Sequence, residues 1–254
     1  MTSFLNGILY QGKATIVSLI ILDPYQAPRI KGMKDSFLDI KATLCSGQMV
    51  IIEMQVLNIL GFEKRILYNA AKAYSTQLSV GDDYTLLNPI IALTITDFEM
   101  FPNSLKVISS YALRKKEEFT TYSDDIELVF VELPKFTKKL EELETLSDKW
   151  IYFLRYANDL KAVPASMGAE AAIGHAFEVA QQSKLTRREM EIVEQRQMAL
   201  HDSRNIILYA EQKGKRKAKL EIARQLLDVL DVETIAQKTG LSLAEIAALR
   251  SRLD

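Results

Sequence analysis

Hydrophobic positions recur at two different periods along this chain, and the change of period divides it. Up to about residue 135 the apolar residues fall in runs of strand length, broken by one helical stretch; beyond Pro134 they recur at intervals of three and four. In the first part, residues 14–22, 36–44 and 49–56 predict three strands, and Asp23-Pro24-Tyr25-Gln26-Ala27-Pro28 a loop whose prolines exclude a helix. The stretch 14–22 is the most apolar near the start and is expected to form a buried strand. Phe62, Ile66, Ala70 and Tyr74, with Leu67, Ala71 and Leu78 beside them, predict an amphipathic helix over 62–79 that Gly81-Asp82-Asp83 ends. Residues 89–97, apolar on both faces at Ile90, Ile91 and Leu93, fit a buried central strand, and 107–113 with 126–133 an antiparallel pair beyond it.

The second part predicts helices over 136–156, 169–183, 187–213 and 215–230, with Pro164 and Gly168 marking a break. Thr186 with Glu189 and Ser242 with Glu245 have capping-box spacing. The expected organisation is a core over residues 1–135 and a helical extension over 136–254, whose first long helix is free to return onto the sheet. Residues 231–253 have the order helix, Gly240, Ser242, helix, which fits a helix-turn-helix. Only Arg250 and Arg252 on its second helix suit contact with nucleic acid, so a packing or self-association hairpin is the alternative. Lys213, Lys215, Arg216, Lys217 and Lys219 are basic enough for phosphate contact, but such a run is more often a solvated helix face.

Within the strands two carboxylates stand out. Alternation places Phe37, Asp39, Lys41 and Thr43 on one face, and Met49, Ile51, Glu53 and Gln55 on one face of the next run. If Leu44 faces Gln48 across Cys45-Ser46-Gly47, with Gly47 in the left-handed position, Asp39 comes opposite Glu53. Their Cβ atoms would lie roughly 5 Å apart, where like charges destabilise a sheet. One carboxylate should then hold a proton or the pair should share a cation, for which a hard, oxygen-seeking ion such as Mg²⁺ is the economical choice. Taken alone, the hairpin is more simply read as a solvated strand face.

The match of ordered motifs is more specific. Ser3-Phe4-Leu5-Asn6-Gly7-Ile8-Leu9 precedes Leu38-Asp39-Ile40-Lys41 and Ile52-Glu53-Met54-Gln55. After these come Phe62-Glu63-Lys64-Arg65-Ile66-Leu67-Tyr68, Gln77-Leu78, Gly81-Asp82-Asp83-Tyr84 and Leu87-Asn88-Pro89-Ile90-Ile91. This order resembles the PD-(D/E)XK nuclease superfamily, in its branch of transposase-like, recombination-promoting nucleases where Glu-x-Gln replaces Glu-x-Lys. The resemblance is close over residues 3–135 and looser beyond. It implies an α/β (α+β) restriction-endonuclease-like core, with a mixed central sheet flanked by helices and a mostly helical C-terminal extension. It also implies a bacterial, metal-dependent DNA endonuclease that promotes recombination or transposition; a catalytically degenerate DNA-binding or protein-interaction module is the alternative.

By the same resemblance, Asp39, Glu53 and the backbone carbonyl of Met54 bind Mg²⁺, with Mn²⁺ able to substitute, and Asp39, Glu53 and Gln55 are catalytic. Gln55 is able to orient a water but supplies no positive charge. Arg65 is the candidate for that charge, its other role being an ion pair from helix to sheet, and Lys41 is a candidate DNA-backbone contact. Relatives carry a longer first segment whose acidic helix adds a carboxylate, so a truncated N-terminus with impaired metal binding is expected here. A homodimer would bring one metal site to each DNA strand.

Composition changes little. The net charge of −1 gives no global nucleic-acid signature, which a nuclease with a local cleft does not need. Cys45 is the single cysteine, so no internal disulfide forms and no Cys/His cluster offers a zinc site. No stretch has membrane-spanning length and no charged leader precedes one, so the cytoplasm is the expected compartment. His175 and His201, the latter beside Asp202, are assigned no role. Trp150, Tyr152, Phe153 and Tyr156 are expected to pack rather than stack on bases.

Overall fold

Seven consecutive buried residues, Ile90–Thr96, form the strand around which the first part of the chain is built. The computed structural model describes residues 1–26, 36–182 and 187–250. It resolves into two compact units, residues 1–184 and 185–254. The first begins with helix α1 (Thr2–Tyr10), then β1 (Leu19–Leu22), β2 (Tyr25–Gln26), β3 (Ser36–Phe37), β4 (Ile40–Leu44) and β5 (Met49–Gln55). Helix α2 (Phe62–Ser75), β6 (Ile90–Thr96), β7 (Ile108–Arg114) and β8 (Thr121–Glu132) follow, then α3 (Leu146–Tyr156), α4 (Ala165–Gly168) and α5 (Ala171–Gln182). Six strands make one sheet in the order β1-β4-β5-β6-β8-β7, and β2 with β3 a separate ribbon. The central strands β5, β6 and β8 are parallel; β1, β4 and β7 join antiparallel. This is the mixed, helix-flanked α/β sheet of a restriction-endonuclease-like fold.

Both faces of the central strands are apolar because helices cover both. Val50, Ile52, Ile91, Leu93, Ile95, Val129 and Val131 pack on one face with Phe4, Leu5 and Ile8 of α1 and Trp150 and Ile151 of α3. Phe136, Met167 and Ile173 join the same core, so the chain beyond residue 135 is built into the first unit. Trp150 is a packing residue: its ring lies edge-on to Phe4 and Phe153, and its indole N–H donates to Ser3 Oγ at 3.1 Å. On the other face, Ile51, Ile90 and Ala92 meet Ala70 and Ala73 of α2, and Phe62 and Ile66 meet Phe130. The chain between α1 and β1 is fixed by Asn6, whose buried amide donates to the Ile16 carbonyl at 2.9 Å and accepts from its N–H at 2.8 Å.

Several boundaries differ from the pattern-based expectation. The predicted buried strand over 14–22 shortens to β1, and Val17, Ile20 and Ile21 are exposed. The reason is position: β1 is an edge strand paired with β4 alone, so apolar character there does not bring burial. The strand expected over 36–44 bends at Leu38–Asp39, and its first two residues pair with β2 instead. Pro28, assigned above to a loop, lies outside the described residues.

The predicted helix over 136–156 starts only at Leu146, where Thr145 and Asp148 form a reciprocal capping box. Asp148 also takes the Lys138 ammonium at 2.8 Å. Burial alone would raise the Asp148 carboxyl, but Lys138 and the Thr145 N–H and hydroxyl outweigh it and hold the group below its ordinary range. A depressed folded-state pKa stabilises the fold fully above the unfolded value of about 3.9, and that stabilisation is lost as pH falls through the folded value. Asp148→Ala should therefore cost about 1 kcal/mol at neutral pH. The gap between mutant and wild-type melting temperatures should close as pH drops below the carboxylate range; a gap independent of pH would refute this.

The second unit consists of α6 (Arg187–Leu226), α7 (Val232–Thr239) and α8 (Leu243–Arg250). The two helices expected over 187–213 and 215–230 are one helix of 40 residues that runs through Gly214. A lone helical glycine costs only about 1 kcal/mol relative to alanine, too little to break a helix of that length. Ala223, Ile235, Leu241, Ile246 and Leu249 form a small core among the three helices. Gly240 ends α7 with φ of 69°, and Ser242 and Glu245 cap α8 reciprocally, their closest contacts at 2.8 and 2.9 Å. Thr186 and Arg252 lie outside the described residues. Among the described residues, no helix is long and apolar enough to cross a membrane.

Candidate active site

The β4–β5 hairpin sets the site. Leu44 N–H donates to the Gln48 carbonyl at 2.8 Å, and Gly47, at φ 88°, closes the loop through its N–H to the Leu44 carbonyl. A Cβ at Gly47 would lie 2.8 Å from Asn88 Oδ1, which would have to turn aside, but it is the left-handed conformation that calls for glycine there. Gln77 braces the same region: its amide donates to the Asn88 carbonyl at 2.8 Å and accepts the Asn88 N–H at 2.9 Å. These motif residues hold the start of β6 against the hairpin and are remote from the carboxylates in role.

The ladder from Thr43↔Met49 to Ile40↔Ile52 brings Asp39, one residue further, opposite Glu53. There the pairing opens. Leu38 N–H donates to the Pro24 carbonyl at 3.2 Å, and Met54 N–H donates to Asp39 Oδ2 at 2.6 Å. Because the N–H and C=O of a strand residue point to the same edge, the Met54 carbonyl also faces the gap past the last ladder pair. Asp39 is exposed, whereas the Glu53 side chain is only 14% exposed.

Glu53 sits under α2. Its Oε1 pairs with Arg65 Nη2 at 2.6 Å and its Oε2 accepts from Asn69 Nδ2 at 3.3 Å. The same Arg65 nitrogen donates to Gln55 Oε1 at 2.9 Å, and Gln55 Nε2 donates to the Leu57 carbonyl at 2.8 Å. Arg65 Nε is buried without a partner, which costs about 1–3 kcal/mol, and its Cζ lies 4.9 Å from the Phe62 ring centroid. Arg65 thus joins helix to sheet through both Glu53 and Gln55. Lys41 lies two residues along from Asp39, half-buried between Leu22 and Ile51, and among the described residues it forms no ion pair.

The structure therefore brings Asp39, Glu53, Met54, Gln55 and Arg65 together and leaves Lys41 beside them. Asp39 accepts a peptide N–H and Glu53 pairs with a guanidinium, and both contacts offset repulsion between the two carboxylates. Asn69 is the residue that pattern-based reasoning passed over. It is buried at 4% exposure, one helical turn after Arg65, and the signal was an amide flanked by the buried positions Ile66, Ala70 and Ala73. Neighbouring β6 presents Thr94 beside Glu53 and Thr96 beside Gln55, both buried.

The donor set suits a hard divalent cation: two carboxylates and a carbonyl released from the ladder, all oxygen. Among the described residues no group of three or more His, Cys, Asp and Glu is placed to hold a metal, and α1 contributes no carboxylate. A metal held here would depend on the Asp39–Glu53 pair with backbone help.

Sheet order, flanking helices and a carboxylate pair at the mouth of the central strands define a PD-(D/E)XK-type nuclease fold. The model of the PD-(D/E)XK nuclease family transposases matches residues 1–210, and the chain belongs to that family. No curated protein and no solved structure matches it.

Proposed function

We propose that this protein is a Mg²⁺-dependent DNA endonuclease that hydrolyses phosphodiester bonds and so promotes DNA recombination or transposition. The observation that carries this is the opposed Asp39–Glu53 pair beside the Met54 peptide, whose N–H Asp39 accepts and whose carbonyl lies past the last ladder pair, in a chain of a nuclease family. Asp39, Glu53 and the Met54 carbonyl would hold Mg²⁺, or Mn²⁺ in its place. Bound there, the ion would supply Lewis acidity, lowering the pKa of water and polarising the scissile phosphate.

The remaining work falls to the chain. Gln55, anchored by Arg65 and Leu57, keeps one amide hydrogen and one lone pair to orient the attacking water. The water oxygen gives up a proton to solvent as it bonds to phosphorus, the ester P–O bond breaks with its electron pair leaving on the sugar oxygen, and solvent returns a proton to that oxygen. Arg65 and Lys41 offer positive charge to the phosphate oxygens. A homodimer acting in the cytoplasm would place one such site on each strand.

One observation favours a second reading, that of a degenerate DNA-binding or protein-interaction module: both Glu53 oxygens and both ends of the Gln55 amide are engaged within the protein. Incubation with supercoiled plasmid separates the two. The endonuclease converts it to nicked or linear DNA with Mg²⁺ or Mn²⁺ and not with EDTA. Well-folded protein that binds the plasmid but leaves it intact in either metal supports the second reading and sinks the first.

A further inference from the structure

We infer that Arg65 is a built-in occupant of the metal site: it neutralises Glu53 while no divalent cation is bound, competes with that cation for the carboxylate, and serves the DNA phosphate once displaced. The inference rests on the metal-dependent reading above.

Three features of the contact carry it. A single nitrogen, Nη2, makes both Arg65 contacts, at 2.6 Å to Glu53 and 2.9 Å to Gln55, rather than the two-nitrogen fork of the strongest arginine–carboxylate pairs. With Nε buried and unpartnered, the guanidinium is hydrogen-bonded at one corner besides its contact with the Phe62 ring, and its side chain is 39% exposed, so a path to solvent is open. Asn69 holds the other Glu53 oxygen at 3.3 Å and keeps the carboxylate oriented when Arg65 leaves.

The Glu-x-Gln sequence acquires a reason from this geometry. A lysine at position 55 would repel the guanidinium and compete for Glu53, whereas the neutral amide of Gln55 accepts a hydrogen from Nη2 and lets Arg65 span both residues. Once Asp39 and Glu53 hold a divalent cation, Arg65 faces like charge at close range and turns outward on its flexible stem. Phosphate oxygens are the natural acceptors for the released guanidinium. Metal binding thereby frees the cation that DNA needs, and by linkage DNA raises the affinity for metal.

Mn²⁺ titration followed by calorimetry and by the Mn²⁺ spin resonance signal, without DNA, tests this on the full chain. Wild type, Glu53→Gln, Arg65→Met and Arg65→Lys are compared, with melting in EDTA as the folding control. Removing the competing charge should tighten Glu53-dependent Mn²⁺ binding about fivefold in Arg65→Met, while Arg65→Lys stays near wild type. If the methionine variant fails to fold, Arg65→Gln, which keeps a neutral donor toward Glu53, gives the same readout. Glu53-dependent binding that is unchanged or weaker without the arginine charge overturns the competition and leaves the metal reading standing. Wild-type Mn²⁺ binding that is absent, or that Glu53→Gln does not alter, overturns the metal reading and the inference with it.

Discussion

Glu53→Gln should abolish metal-dependent plasmid nicking, a loss of about three orders of magnitude or more, while the protein remains folded. The substitution keeps the shape and one of the two hydrogen bonds: the new amide oxygen still accepts from Arg65 Nη2, while the new NH2 faces Asn69, whose side-chain amide must turn to offer its oxygen. What it removes is one of the two carboxylate charges available to a divalent cation, and no third acidic side chain among the described residues replaces it. The stability cost should be small, below about 1 kcal/mol, because the ion pair that is lost reaches solvent through the 39%-exposed Arg65 side chain. Nicking rate and melting temperature, measured on one preparation, decide the matter. Nicking within tenfold of wild type would mean that the cation is bound elsewhere; a collapse in melting temperature would make Glu53 a structural residue.

The site was legible in part, and the division has physical causes. Alternation and a three-residue loop with a glycine suffice to oppose Asp39 and Glu53, because a hairpin's register follows from its loop. The helix carrying Arg65 follows from the spacing of Phe62, Ile66 and Ala70. The choice between Arg65 as a phosphate ligand and Arg65 as a clamp on Glu53 did not follow, since a side-chain pairing depends on how α2 lies across β5. That placement is set by the loop between Gln55 and Gly61, whose geometry has no periodicity to read. The bend at Asp39 was hidden for a related reason: Leu38-Asp39-Ile40 alternates like a strand, and only tertiary contacts divert the Leu38 N–H to Pro24 and the Met54 N–H to a side chain. Apolar runs misled where burial was inferred from composition, as at Ile20 and Ile21, because an edge strand need not be covered.

Glu132→Ala should have the opposite phenotype to Glu53→Gln and destabilise the protein by about 3–5 kcal/mol, a large share of the roughly 5–15 kcal/mol that holds a native protein folded. Both carboxylates project from the same sheet face near the carboxyl ends of parallel strands; Thr96 separates Gln55 from Glu132 along one row. Their surroundings differ. The Glu132 side chain is 0% exposed and its partner Lys135 6%, at 2.6 Å, against 14% and 39% for Glu53 and Arg65. Glu132 Oε1 also accepts the N–H groups of Met100 and Phe101 at 2.6 and 3.0 Å, and Lys135 Nζ donates to the Phe101 carbonyl at 2.7 Å. Alanine would strand a buried ammonium and two backbone donors together, and none of them has water to turn to. Unfolding in urea measures the loss. A cost under about 1 kcal/mol would show that this pair is dispensable, because breaking one side of a buried ion pair is far more damaging than removing both. Glu132→Leu with Lys135→Met should accordingly recover part of the loss, though the Met100 and Phe101 donors stay unpaired. Contrasting phenotypes would follow from solvent access: where both partners are sealed the carboxylate is structural, and where one partner can leave, the carboxylate is open to exchange a guanidinium for a cation.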